Sequence, residues 1–226
     1  MAGKRILIVS TSFDKLGTSG EPTGLWIEEL VAPYYIFKEA GAHVDVVSIK
    51  GGHVPIDPNS LGDAAVTEHV KRYHEDLELK KALEESKSIK EVTGKYDAVF
   101  VPGGHGIVHD GPNDKHLIAF VEKIWSEGGV VGSVCHGPAA LVNVHAPNGE
   151  PIVKGRKVAG FSNSEEEAAG KAKYVPFLLE DKLKELGGLY ESGPNWQPFA
   201  VADGKLVLGQ NPASSPEVAK LFLAAF

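Results

Sequence analysis

The stretch Gly128-Gly129-Val130-Val131-Gly132-Ser133-Val134-Cys135-His136-Gly137-Pro138-Ala139-Ala140-Leu141 decides the fold. Two glycines end a helix, a short apolar run reads as a buried strand, and Gly137 and Pro138 suit the first turn of a new helix. Between strand and helix stands Cys135, the only cysteine among 226 residues. Strand, sharp turn and helix with a nucleophile on the turn make a nucleophile elbow, with sulfur in place of a serine oxygen. Such a turn holds its central residue in a strained backbone conformation, so bulky residues at Ser133 and Gly137 would clash. The partial positive charge of a helix N-terminus would favour the thiolate over the thiol. A lone cysteine is most often a small buried apolar residue. One followed by His-Gly-Pro at a strand-to-helix junction points to chemistry instead.

Upstream, Tyr96-Asp97-Ala98-Val99-Phe100-Val101 reads as a strand that ends in Pro102-Gly103-Gly104-His105-Gly106. A Gly-rich loop there is either a tight turn needing positive φ or an oxyanion hole, with N–H donors facing a developing negative charge. It has neither GxGxxG spacing nor a P-loop lysine, which argues against nucleotide binding. The first strand, Lys4 to Ser10, is almost continuously apolar, as a parallel sheet covered on both faces requires. The polar loop from Thr11 to Pro22 follows at the carboxyl end of that strand, where open α/β sheets place their ligands.

A helix is predicted from about Gly24 to Ala40, apolar over most of its circumference and bent or broken by Pro33. Glu28 and Glu29 interrupt it. Adjacent helical residues point about 100° apart, so the two acids cannot share one environment. One of them could be half-buried with a raised pKa, and the residues alone leave open which faces inward. Ala42 to Ser48 is a second strand, joined to the first by a right-handed crossover. Gly51 to Thr93 reads as a polar surface excursion with a charge-patterned helix near Leu77 to Lys90, and its His53, His69 and His74 as solvated.

A helix from about Asn113 to Glu127 leads to the elbow strand, and another from Pro138 to Val144 leaves it. Beyond a turn-rich connection lies Phe161-Ser162-Asn163-Ser164-Glu165-Glu166-Glu167, where Asn163 or Ser164 would cap a helix with an acidic first turn. That accounts for at least two of the three acids, while one could still reach a histidine. A helix from Pro176 to Leu186, a loop carrying Trp196 as a candidate wall of a small site, a hairpin over Ala200 to Gly209 and a final helix to Ala225 complete the chain. Alternating β and α elements predict an α/β fold: a flavodoxin-like three-layer α/β/α sandwich with a mostly parallel central sheet. One domain spanning 1–226 is expected, with surface insertions near 51–93 and 145–195.

Lysine and arginine total 23 against 30 acids, a formal net charge of −7, which argues against nucleic acid or an anionic membrane as the main partner. One cysteine rules out an internal disulfide and a multi-cysteine metal site, and suits a reducing compartment. No apolar run approaches a membrane span, and no secretory leader precedes the first strand. A cytoplasmic location is expected, with the nucleus open.

The Gly-Gly loop, the Ser133-Val134-Cys135-His136-Gly137-Pro138 elbow, an acid on the first helix and Gly160-Phe161-Ser162-Asn163 before an acidic helix together resemble the ThiJ/PfpI superfamily, of the class I glutamine-amidotransferase-like fold. Thr23-Gly24-Leu25-Trp26-Ile27-Glu28-Glu29 with Pro33 is similar to its fungal-type branch of heat-shock chaperone-like proteins and glutathione-independent glyoxalase III enzymes. The resemblance covers essentially the whole chain. It implies Cys135 as nucleophile, His136 as its triad histidine, Glu29 as the acid beside the cysteine, and Glu166 as the third triad member, with Glu165 and Glu167 as neighbouring candidates. It further implies Gly103 and Gly104 as an oxyanion loop, and a narrow pocket walled by His105 and Trp196 would favour small aldehydes over peptides. The implied reaction is a lyase-type conversion of methylglyoxal or glyoxal that needs no cofactor, metal or glutathione, in a homodimer or monomer. Other readings are a stress-responsive holdase or redox sensor, a cysteine amidase or peptidase, and a protein deglycase.

Overall fold

The computed structural model describes residues 3–226, so Met1 and Ala2, the first two residues of the expected 1–226 domain, lie outside the described residues. In chain order the first half contains β1 (Arg5–Ser10), α1 (Ile27–Glu39), β2 (His43–Ser48), α2 (Glu68–Glu75), α3 (Leu77–Glu84), β3 (Lys87–Ser88), β4 (Ala98–Val101) and α4 (Gly106–Asp110). The second half contains α5 (Lys115–Ser126), β5 (Val130–Val134), β6 (Lys157–Val158), α6 (Asn163–Ala168), α7 (Leu179–Glu185), β7 (Leu189–Tyr190), β8 (Ala200–Asp203), β9 (Leu206–Gly209) and α8 (Ser215–Ala224).

Seven strands form one sheet in the order β3-β2-β1-β4-β5-β9-β8, and only the β8–β9 hairpin is antiparallel. Alternation along β1 builds two cores. Ile6 and Ile8 face a layer made by α1, α2, α3 and α8, whereas Leu7 and Val9 face the opposite layer with α5 and α7. On the first face Phe37, Phe100 and Phe222 lock α1 and α8 onto β4, with ring centroids 4.8–5.7 Å apart. This is the expected three-layer, mostly parallel architecture. Its carboxyl edge gathers the end of β4, the end of β5 and the start of α1. Among the described residues, no helix is long and apolar enough to cross a membrane.

Four local expectations need correction. Helix α1 is not broken at Pro33, which lies inside it and whose nitrogen cannot donate to the Glu29 carbonyl. The element after the elbow is a five-residue 3-10 turn, Gly137–Leu141, rather than an α-helix to Val144; Ala139 N–H bonds back to His136 O at 3.0 Å, three residues away. The 51–93 segment is not merely a surface excursion: it supplies edge strand β3 and buries Val70, Tyr73, Leu79 and Leu83 in the core that α2 and α3 share with α1 and β2. Its His69 is half-buried, with Nδ1 3.4 Å from Glu28 Oε1. Helix α6 is capped by Ser162, one residue earlier than expected, in a reciprocal capping box with Glu165.

Two features fix the sheet edge around the elbow. A Cβ on Gly137 would stand 2.3 Å from both Ser133 Oγ and the Val101 carbonyl oxygen, so the turn can approach β4 only without a side chain. Asp110 accepts hydrogen bonds from Thr11 Oγ1 and Ser12 N–H, both at 2.8 Å, and ties down the loop after β1. Burial pushes its carboxyl up to about 6, partly offset by those hydrogen bonds.

Gly137→Ala is therefore expected to lower stability by about 1–3 kcal/mol, read as a reduced denaturation midpoint with unchanged m-value. Asp110 binds its proton more tightly when folded, so it lowers stability as pH rises from about 4 to about 6. Asp110→Asn should remove a slope worth on the order of 2–3 kcal/mol from the pH–stability curve in that window. An unchanged slope would show that the carboxyl titrates normally.

Candidate active site

Strand β5 delivers Cys135 to the sheet edge in a left-handed conformation, φ 61°, as an elbow requires. The Cys135 N–H donates to Gly209 O on β9 at 3.0 Å, and its carbonyl accepts from Phe161 N–H at 2.8 Å. The residue is only 3% exposed. Sγ lies 3.4 Å from Nδ1 of His136.

The opposite ring nitrogen, His136 Nε2, is 2.5 Å from Glu166 Oε2. Glu166 stands on α6, and its second oxygen, Oε1, is 2.6 Å from His105 Nε2. One carboxylate thus bridges two imidazoles, whose ring centroids are 4.0 Å apart, and all three side chains are buried. Burial alone would raise Glu166, but the charges and hydrogen bonds of His136 and His105 outweigh it and hold the carboxyl far below the usual range. Burial, reinforced by neighbouring His136, pushes His105 down to about 4, so its imidazole is neutral at pH 7.

The three consecutive acids separate by geometry. Glu165 accepts from Ser162 N–H through Oε2, and from Trp196 N–H and Asn211 Nδ2 through Oε1, at 2.9–3.0 Å. It braces α6 and the Trp196 loop rather than a histidine. Glu167 is exposed. Only Glu166 reaches His136.

The two acids on α1 also part company. Glu28 turns toward α2, accepting from Thr67 Oγ1 at 2.5 Å, and burial raises its pKa against the pull of Thr67 and His69. Glu29 is fully buried and accepts from Gly103 N–H at 2.7 Å through Oε2. Its Oε1 is buried without a hydrogen-bond partner, and the groups that favour its charged form are the neighbouring Cys135 thiol and the Gly103 N–H. Burial pushes Glu29 well above the carboxylate range. Burial likewise pushes the Cys135 thiol well up, with Glu29 adding to the shift. The expected thiolate-favouring dipole is outweighed: a five-residue 3-10 turn carries a weak dipole, while the sulfur is buried beside a carboxyl.

The oxyanion expectation needs revision at one position. Gly103 spends its N–H on Glu29 and cannot face a substrate. Gly104, at φ 90°, lines the cavity, and its N–H favours the charged form of the Cys135 thiol against the burial that opposes it. The His136 N–H has no partner among the described residues. The cavity, about 410 Å³, is lined by Gly104, His105, Cys135, His136, Phe161 and Trp196, so both expected wall residues are in place. Trp196 is 47% exposed and held at φ 64°. Phe161 packs on His136 with ring centroids 4.3 Å apart. No sequence spacing links 105 to 166 or 136 to 161, which is why these contacts escaped the sequence reading.

The sequence offered no strong metal-ligand set, but the structure gathers His105, His136 and Glu166 with ligand atoms within 4.8 Å of one another. Their geometry is that of hydrogen bonding. An ion at 2.0–2.1 Å from each atom of a pair 2.5 Å apart would subtend only roughly 75°, far from tetrahedral. The trio does not fit a metal as it stands.

Fold and site define a cysteine-elbow protein of the parallel α/β type. The chain belongs to the DJ-1/PfpI family, whose model matches residues 27–225. It is 33% identical to the glutathione-independent glyoxalase HSP31 of Saccharomyces cerevisiae, over 97% of this chain and 96% of the relative. The crystal structure of glyoxalase III from Candida albicans superposes with a TM-score of 0.88 at 29% identity, covering 99% of this chain and 97% of that one. The Rapid Encystment Protein of Francisella tularensis superposes with a TM-score of 0.94 at 41% identity, over 98% of both chains.

Removing the Glu29 charge should make the thiol easier to ionise. The pH midpoint for iodoacetamide alkylation of Cys135 is expected to fall in Glu29→Gln, with faster alkylation at pH 7 than in wild type. A midpoint that stays put or rises would show that Glu29 does not oppose the thiolate.

Proposed function

We propose that this protein is a glutathione-independent glyoxalase, a lyase that converts methylglyoxal and water to D-lactate on one domain. The observation that carries the reading is the pairing of Cys135 with two different proton-handling groups: His136 on Glu166 at one side and buried Glu29 at the other. A hydrolase needs only the first. An isomerisation that moves a proton between adjacent carbons needs a second. The small cavity over a 3% exposed cysteine suits a three-carbon dicarbonyl better than a peptide. The names of the yeast and Candida relatives support the same reading.

In this reaction Sγ adds to the aldehyde carbon, and the thiol proton passes through His136 to the former carbonyl oxygen, giving a hemithioacetal. The Gly104 and His136 N–H groups steady the negative charge on oxygen. Glu29 takes the carbon-bound proton and returns one to the neighbouring carbon, while the hydroxyl proton passes from the first oxygen to the second. One carbon is oxidised as its neighbour is reduced, so neither nicotinamide nor glutathione enters the balance. The resulting lactoyl thioester is cleaved by water. Glu166 keeps the His136 proton on Nε2 and leaves Nδ1 free to face sulfur.

The test is D-lactate production from methylglyoxal in the absence of glutathione. Cys135→Ala should fall to background, and Glu166→Gln should lose about 10²-fold or more in kcat. Wild-type activity in Cys135→Ala would overturn the proposal.

A further inference from the structure

A single relay leaves one buried imidazole without a task. An ionised carboxylate only accepts, so Glu166 holds a proton on Nε2 of both His136 and His105. Both rings therefore present an Nδ1 lone pair. His136 spends its own on Sγ at 3.4 Å. His105 Nδ1 has no hydrogen-bond partner among the described residues, and it is not one of the buried polar atoms closed off without a partner. It belongs to the wall of the Cys135 cavity.

Access ranks the bases around the sulfur. Glu29 is 0% exposed and His136 1%, while His105 is 6% exposed. A base that activates water must meet water, and His105 is the most open of the three. His136, close to sulfur, is suited to the thiol proton. Glu29, fully buried and closed to solvent, is suited to a proton that it takes from the substrate and gives back to it.

We propose that His105 is the base that activates water to cleave the acyl-thioester on Cys135, so that Glu166 orients two imidazoles for two successive half-reactions. The inference rests on the glyoxalase reading above. A water oxygen attacks the thioester carbon while its proton passes to His105 Nδ1. The tetrahedral intermediate collapses, the C–S bond breaks, and its electron pair returns to Sγ. Of the two protons that water brought, one ends on sulfur and the other leaves through His105 to solvent as lactate ionises.

His105→Gln removes the lone pair but keeps an N–H for Glu166, and His105→Asn repeats the measurement with a shorter amide. Each variant is mixed with methylglyoxal and followed by intact-protein mass spectrometry and lactate release, with melting temperature and Cys135 alkylation reporting the integrity of the fold and elbow. The expected result is a kcat about 10²-fold down, and a Cys135 adduct with the mass of one methylglyoxal that builds up in the first turnovers. Hydroxylamine, a nucleophile that needs no base, should discharge that adduct as lactohydroxamate. That product identifies a thioester, since a hemithioacetal would revert to methylglyoxal. Unchanged kcat, or slow turnover without a dischargeable adduct, would overturn the role of His105 while leaving the glyoxalase reading intact. Wild-type protein that makes no lactate without glutathione would instead remove the glyoxalase reading, and this inference with it.

Discussion

Cys135 sits at φ 61°, a conformation that costs a side-chain-bearing residue on the order of 1–3 kcal/mol and that persists because both its peptide groups are held from outside the turn. Strand β9 takes its N–H and Phe161 donates to its carbonyl. The second bond is the consequential one. Phe161 immediately precedes the Ser162 cap of α6, and α6 carries Glu166. The hydrogen bond that fixes Cys135 also fixes the chain that brings the carboxylate to His136. Strained turn and proton relay are a single structural event.

The electrostatics of the sulfur follow from competing magnitudes. A helix terminus is worth typically 0.3–1 kcal/mol at a surface, and a short 3-10 turn offers less. Burying a charged group shifts its pKa by up to several units, each worth 1.36 kcal/mol. Burial therefore wins at Cys135, and again at Glu29. Two acids that each resist ionisation, side by side in one buried space, behave as a pair that holds a proton between them. At Glu166 the balance reverses, because two histidines stand against the carboxylate.

The sheet and the elbow were readable because they are written in local patterns: an apolar run of strand length, then Cys135-His136-Gly137-Pro138. The choice of Glu29 over Glu28 was not local. Both lie on the buried side of α1, and what separates them is a partner 39 residues on, Thr67, and another 74 residues on, Gly103. The three glutamates at 165–167 carried a clue that went unused. Ser162-Asn163-Ser164-Glu165 is a capping-box pattern, which commits Glu165 to its own helix and leaves Glu166 for longer reach. The length of the elbow turn was misjudged because Pro138 fits the first turn of either helix type. Gly103 was misassigned because its N–H is spent on a side chain from α1 that no pattern around residue 103 announces.

Neighbouring residues of α6 hold opposite ends of the site. Glu165 grips the Trp196 loop that walls the cavity, while Glu166 grips the two histidines that line it. The cavity wall and the hydrogen bonds to both imidazoles thus depend on one short helix. A substitution that tilts α6 would move the wall and the His105–Glu166–His136 contacts together, so this chain has little freedom to widen its cavity from that side without disturbing them. The cavity can be reshaped independently at Trp26, which lines it from outside that helix.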